Sequence, residues 1–317
     1  MKWRVIGAFV AVGVLWGSAW LFIPSLPEPP MIAGAVRFAI AAALLGTMAA
    51  GTSKARHKVN RDRRPFPMVA SVVLGLTLLG FPFALAIWAK GLVSVGLVAV
   101  LYAAMPLVTL LLAEKTGDVA DTIPPIAIGM GGIAFLVAQG IEYSTRQLGG
   151  LLLLGAAVGL GAWSLNYAQR HIRPSDIFSS SAIQCVVASA LLLLLSGARG
   201  IGSAIHWRGA SVASLLVLAA AEGAVAFPLL FWLLSRIDAW QVASLQWLAT
   251  LVAVAEAGML LEGRPALLML LGGAMVVVAM IWLMRFKDAP GSATGVVTLQ
   301  ITSTDENALG RRESRLG

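Results

Sequence analysis

Phe81-Pro82 recurs as Phe227-Pro228, Lys90 as Arg236, Glu114 as Glu262, Trp16 as Trp163 and Arg37 as Gln184, all at offsets of 146 to 148 residues. One half of the chain reads as a copy of the other. The period is far longer than the roughly 20–50 residues of stacked repeat proteins. It also runs through a chain of 317 residues that is 59% hydrophobic and only 12% charged, with a mean hydropathy of +0.86. Soluble domains carry about 25% charged residues, so the duplicated unit is a membrane unit, and the expected design is two related halves meeting in a bilayer.

A helix needs about 20 apolar residues to cross the hydrocarbon core. Runs of that character predict ten spans, at 5–22, 31–50, 67–88, 92–113, 123–140, 148–168, 176–196, 209–234, 239–260 and 265–285. The first run sits behind Lys2 and Arg4 like a signal peptide, but its Trp16 belongs to the repeat, which a cleaved segment would have no reason to share. Residues 286–317 mix Gly, Ser, Thr and charges without apolar periodicity, the composition of a disordered tail.

Alternating the ends of these spans puts seventeen of the 23 bases on one side and five on the other, with Arg37 inside a span. Cytoplasmic loops collect Lys and Arg, so both termini and the basic stretch 54–64 are expected in the cytoplasm. That placement accounts for the net charge of +8 without nucleic acid as a partner. Five spans per half is an odd number, so the second copy must enter the membrane upside down. The predicted fold is therefore an all-α integral membrane protein whose ten transmembrane helices form two inverted five-helix repeats, residues 1–145 and 146–285, followed by the cytoplasmic tail 286–317. Inverted repeats place a binding site near the bilayer midplane and open it to alternate sides by rocking.

A lone Cys185 gives no intramolecular disulfide and three scattered histidines give no metal cluster, so neither a metal nor a cofactor is expected. Arg37, Glu222 and Glu256 are the charges that fall well inside predicted spans, where a charge is costly unless paired or wetted. Glu222, midway along the eighth span, is expected to be the group through which pH acts on transport, with protons the candidate coupling ion and a buried structural hydrogen bond the alternative. Glu256 lies about one turn from a helix end, and Arg37 reads first as a structural anchor. At about 100° per residue, Gln246, Ala249, Ala253 and Glu256 share one sector of the ninth helix, as Gly159, Trp163, Asn166 and Tyr167 do on the sixth. Both faces are candidates to line a wet cavity, with helix packing the alternative for Asn166. Trp16, Trp163 and Trp247 lie deeper than the interfacial tryptophans and are further cavity candidates, with packing, the more common use of a buried Trp, as the alternative. Gly13-x-x-x-Gly17, Gly155-x-x-x-Gly159, 129–132 (GMGG) and 272–273 (GG) permit close approach of helices, within the bundle or between subunits.

WGSAW in the first span, Arg37-Phe38 in the second, YAAMPLVTLLLAE ending the fourth and FWLLSRIDAWQVASLQ at the eighth-to-ninth turn together resemble the EamA-type members of the drug/metabolite transporter superfamily, over residues 5 to 285. The resemblance implies an inner-membrane permease, most often an exporter. Its central cavity would be lined by the first, third, fourth, sixth, eighth and ninth helices, with the fifth and tenth at the periphery. It carries over onto Trp16, Gly17, Arg37, Pro106, Glu114, Trp163 and Glu262; of these Arg37, Pro106, Glu114 and Glu262 are structural or gating candidates. Two departures stand out. Eight positions separate Pro106 from Glu114, fewer than usual, and the usual ninth-helix proline is absent around Ala249 to Leu251, so the helix break of the second half is expected to be missing.

The function expected is secondary transport of small organic metabolites or drugs across the inner membrane by alternating access. No Walker-type loop is present to bind a nucleotide. An intramembrane enzyme is disfavoured because no HExxH or Cys/His arrangement occurs, so no catalytic residue is assigned. A non-transporting membrane sensor or scaffold is the other alternative. The sequence names neither substrate nor oligomeric state.

Overall fold

The computed structural model describes residues 2–22, 25–27, 29–56, 65–113, 119–137, 147–201, 209–260 and 267–285. Every element of these residues is helical, and two of the expected site residues, Glu114 and Glu262, lie outside them, as does the tail. The helices, in order, are α1 (Lys2–Gly17), closed by a 3₁₀ turn Ser18–Leu21; α2 (Pro30–Arg56); α3 (Met68–Ala89); and α4, which runs Val95–Ala103 and resumes as Met105–Leu111. They continue with α5 (Val119–Val137), α6 (Gln147–His171), α7 (Ile177–Ile201), α8 (Gly209–Leu234), α9 (Ala239–Ala243 resuming as Leu245–Leu260) and α10 (Leu267–Arg285). By length and composition, α2, α3, α6, α7 and α8 can each cross a membrane, and α1, α4, α5 and α10 hold shorter apolar stretches. Large apolar side chains stand on the outside, Leu194 at 79% exposure and Val69 at 74% among them, a surface that suits lipid and not water.

α3 and α8 share a feature that the duplication places at the same point. Pro82 and Pro228 have no N–H to give the preceding turn, and just before them each helix widens to π geometry, over Gly75–Gly80 and Ala219–Ala226. The Phe81 N–H reaches back to Leu76 O and the Phe227 N–H to Glu222 O, one residue further than an α-helix allows. The two halves thus carry the same widened turn.

α4 and α9 share a break. In α4 it falls at Ala104, beside Pro106, which cannot donate to the turn before it. α9 breaks at Ser244, without a proline and ahead of Ala249 to Leu251, a stretch that runs unbroken within Leu245–Leu260. The Ser244 Oγ donates to Gln241 O (2.6 Å) and the Trp247 N–H bonds Ser244 O (3.0 Å), so a tightened i to i−3 turn does the work of the proline.

The packing follows a pattern of exchange between halves. α2 packs on α7, α5 on α10 and α4 on α9; α1 packs on α9 as α6 does on α4; α3 packs on α6 and α7 as α8 does on α1 and α2. The 129–132 and 272–273 glycines do pack α5 against α10. A methyl on Gly132 would sit 2.8 Å from Gly272 O, so only bare backbone allows this crossing. Gly13 and Gly17 face Leu248 and Val252 of α9, whereas Gly155 and Gly159 have open space.

Candidate functional site

Two of the three charges expected inside the spans meet. Arg37 of α2 donates through Nη1 to Glu222 Oε2 at 2.9 Å, with the two side chains only 14% and 13% exposed. The widened turn of α8 contains Glu222, and Gly223 beside it lets Ala41 of α2 approach closely. The guanidinium lies 5.0 Å from the Phe38 ring centre and 5.1 Å from that of Phe83, distances of cation–π attraction. A charge buried between apolar helices is tolerable when paired and stacked in this way. Arg37 thus joins α2 to α8, and its partner is the very carboxylate singled out for titration.

Gln184 of α7 lies 147 residues after Arg37, at the offset of the sequence repeat. Gln184 packs its backbone against Gly75, in the widened turn of α3, and its side chain donates to Ser180 Oγ (3.0 Å), itself 2.8 Å from Ser71 Oγ of α3. The α2–α8 contact is an ion pair and the α7–α3 contact is a neutral polar chain.

The remaining expected residues take different places. Glu256 accepts a 2.5 Å hydrogen bond from Ser18 Oγ, and Ala249 on the same face is buried, so this sector of α9 is turned onto the end of α1 and does not stand open as a wet wall. Gln246 is half-buried beside it. Asn166 is buried, donating through Nδ2 to Thr109 O of α4 (2.8 Å) and Ala162 O (3.3 Å), the arrangement of a packing residue. Trp247 is fully buried. Its Nε1–H donates to Ala103 O (2.9 Å) at the α4 break, and its ring fills the space that Gly129 of α5 leaves, so it joins helices where a cavity wall was expected. Pro106 sits at the start of the resumed α4 segment.

Trp16 meets Phe227 edge-on at 6.4 Å between ring centres, whereas Trp163 stacks on Tyr167 (4.9 Å), which stacks on His171 (4.0 Å). Trp163 is 37% exposed, on the face opposite the buried Leu165. No ring contact joins Trp16 to Trp163 among the described residues.

Sequence reasoning missed Gln169. Its Nε2 donates to Leu234 O (3.0 Å) and Ile237 O (2.8 Å), and its Oε1 accepts from the Ala239 N–H (3.1 Å). One α6 side chain thus satisfies the last carbonyl of α8, a carbonyl of the turn and the first amide of α9, groups that helix ends and turns leave unbonded. In the same hairpin the Asp238 N–H donates to Gln241 Oε1 (3.1 Å), and partial burial raises the pKa of the Asp238 carboxyl. Around this hairpin a large apolar cluster packs together. It takes Phe9 and Val12 from α1, Leu165 from α6, Leu230 and Leu234 from α8 and Val242 from α9.

An all-helical bundle with apolar outer faces and buried polar pairs between its helices is a membrane-type architecture. No family model matches the chain. A Bacillus subtilis (strain 168) protein named uncharacterized transporter YvbV is 28% identical over 173 residues, 54% of this chain and 55% of that protein, so the chain spans about half the length of this curated relative. A protein of solved crystal structure superposes with a TM-score of 0.71 at 18% identity, over 89% of this chain and 98% of its own, which establishes the likeness of fold alone.

Proposed function

We propose that the chain is a secondary transporter of small organic metabolites or drugs, an exporter of the EamA type, working by alternating access in the inner membrane. All ten helices cross the bilayer, in two inverted five-helix repeats (1–145 and 146–285), and both termini and the tail 286–317 are cytoplasmic. The observation that carries this reading is the exchange pattern of the main packing contacts: α2–α7, α5–α10 and α4–α9 are their own counterparts, and α1–α9, α3–α6 and α3–α7 have counterparts in α4–α6, α1–α8 and α2–α8. Packing that maps onto itself when halves are exchanged is what two repeats related by a twofold axis in the membrane plane produce. The widened turns before Phe81-Pro82 and Phe227-Pro228 obey the same exchange. The transporter named among the relatives agrees with this reading.

Glu222 is the site where protons couple to transport. It is buried, it faces a single cation, and loss of its charge would free Arg37 from the α2–α8 contact. Protonation there would loosen a join between the two halves, which is what a coupling ion must do. Purified protein in liposomes, loaded in turn with amino acids, nucleobases, sugars and cationic dyes, tests the reading. Substrate-dependent efflux that responds to an imposed pH gradient supports it. Absence of flux for every class, from protein that is folded and inserted, would leave a sensor or scaffold as the better account.

A further inference from the structure

We propose that Gln169 is a latch that fastens α6 to the α8–α9 hairpin, holds the bundle closed at that end, and must let go for the chain to open there. The inference rests on the alternating-access reading above and names the residue that holds one of its two states.

Hydrogen bonds and glycine contacts tie the facing helices into two groups, which also meet where α4 packs on α9 and Trp247 Nε1–H donates to Ala103 O. α1, α8 and α9 belong together, since Gly13 and Gly17 seat α9 side chains and Trp16 meets Phe227. α3, α4 and α6 belong together through Ser164 Oγ donating to Thr77 Oγ1 (2.8 Å), Asn166 bonding Thr109 O, and Gly161 seating Met105. The three Gln169 hydrogen bonds run from the second group to the first. They lie where the apolar cluster gathers, since that cluster takes the beginning of α9 and the ends of α6 and α8, with Phe9 and Val12 from the middle of α1.

The bonding also explains why a side chain, and not apolar contact alone, is used. Leu234 O and Ile237 O would be left without donors if α6 moved away, unless water entered. In the closed state the amide of Gln169 replaces that water; in the open state water replaces the amide. The bonds therefore favour closure and remain exchangeable for water, as a two-state joint requires. An apolar residue at 169 would leave those carbonyls dry and unpaired in the closed state, so that state would lose ground to one in which water reaches them.

The full-length protein carries the test. Ala243→Cys places a thiol in the closed cluster, where Ala243 is 3% exposed, and native Cys185, 0% exposed between α7 and α2, serves as the internal reference. Both thiols are followed with a charged, water-borne maleimide and mass spectrometry, in Gln169→Leu and in Gln169→Glu, which keeps the acceptor for Ala239 but at neutral pH loses both donors. The expected result is that Gln169→Leu speeds labelling of the Ala243→Cys thiol by about tenfold or more, with Gln169→Glu showing the same direction and Cys185 unchanged in both. Two results overturn the latch: an unchanged rate at the Ala243→Cys thiol, or equal acceleration at Cys185, which would make Gln169 a plain structural staple. Should Gln169→Leu fail to insert, Gln169→Glu is read by the same criteria. Opening of the thiol in a protein that carries no flux would sink the transport reading and leave the latch standing; flux with labelling indifferent to residue 169 would do the reverse.

Discussion

Arg37 of α2 and Glu222 of α8 form an ion pair of 2.9 Å, and position 184 of α7, 147 residues after Arg37, holds an uncharged Gln. Both charges lie within apolar helices. The consequence is that loss of either partner leaves a charge buried without compensation. Glu222→Gln and Arg37→Gln are each expected to destabilise the protein in detergent by about 3 kcal/mol, the lower end of the range for broken buried pairs because both side chains keep some exposure. The double variant should recover much of that loss. A thermal-unfolding cycle in which the two losses simply add would remove the pair from the account.

Trp247 and Gly129 make a second coupled pair, in which one supplies a ring and the other the room for it. Trp247→Phe removes the donor to Ala103 O and should cost about 1–3 kcal/mol. Gly129→Ala should destabilise the parent, since the added methyl meets the ring, yet cost clearly less when residue 247 is Leu. Equal cost in both backgrounds, measured by thermal unfolding, would show that the ring is not what Gly129 accommodates.

Asp238, in the hairpin between α8 and α9, gives a pH dependence with a definite sign. Its carboxyl pKa is raised above the ordinary 3.8 by burial, so the folded state holds the proton more tightly than the unfolded chain. Its contribution to stability is complete below the unfolded value and falls away as pH rises through the folded one. Asp238→Asn keeps the geometry at the start of α9 and removes the titration. The variant should show a flatter stability profile on the acid side and should be no less stable than the parent at neutral pH. A steeper acid-side profile in the variant would mean that another group titrates there.

How far the sequence could be read varies with the kind of signal. The helices were legible because an apolar run of membrane length is a property of neighbours in the chain, and the α5–α10 crossing was legible because 129–132 and 272–273 leave room for little else. Arg37 and Glu222 each stood out by burial cost, but their meeting depends on how α2 lies on α8, which no local pattern encodes. Trp247 was misplaced for the same reason: the space it fills is made by Gly129, more than a hundred residues away. The Ser244 break was unexpected because proline is the visible cause of such breaks, whereas a serine that bonds the preceding turn is common in unbroken helices too. Gln169 gave no signal at all. A glutamine near a helix end carries no burial cost, and its role exists only once the hairpin lies beside it.

The claim that two inverted copies share one membrane is tested most directly at Lys90 and Arg236, which the duplication pairs and which lie at the equivalent turns after α3 and α8. Lys90→Cys and Arg236→Cys, each made separately in intact cells with Cys185 replaced by Ser, are exposed to a membrane-impermeant maleimide. The account predicts that the thiol at position 90 is labelled from outside, and that the thiol at position 236 is labelled only after the membrane is opened. Labelling of both from the same side would contradict the inversion, and with it the proposed mechanism of alternating access.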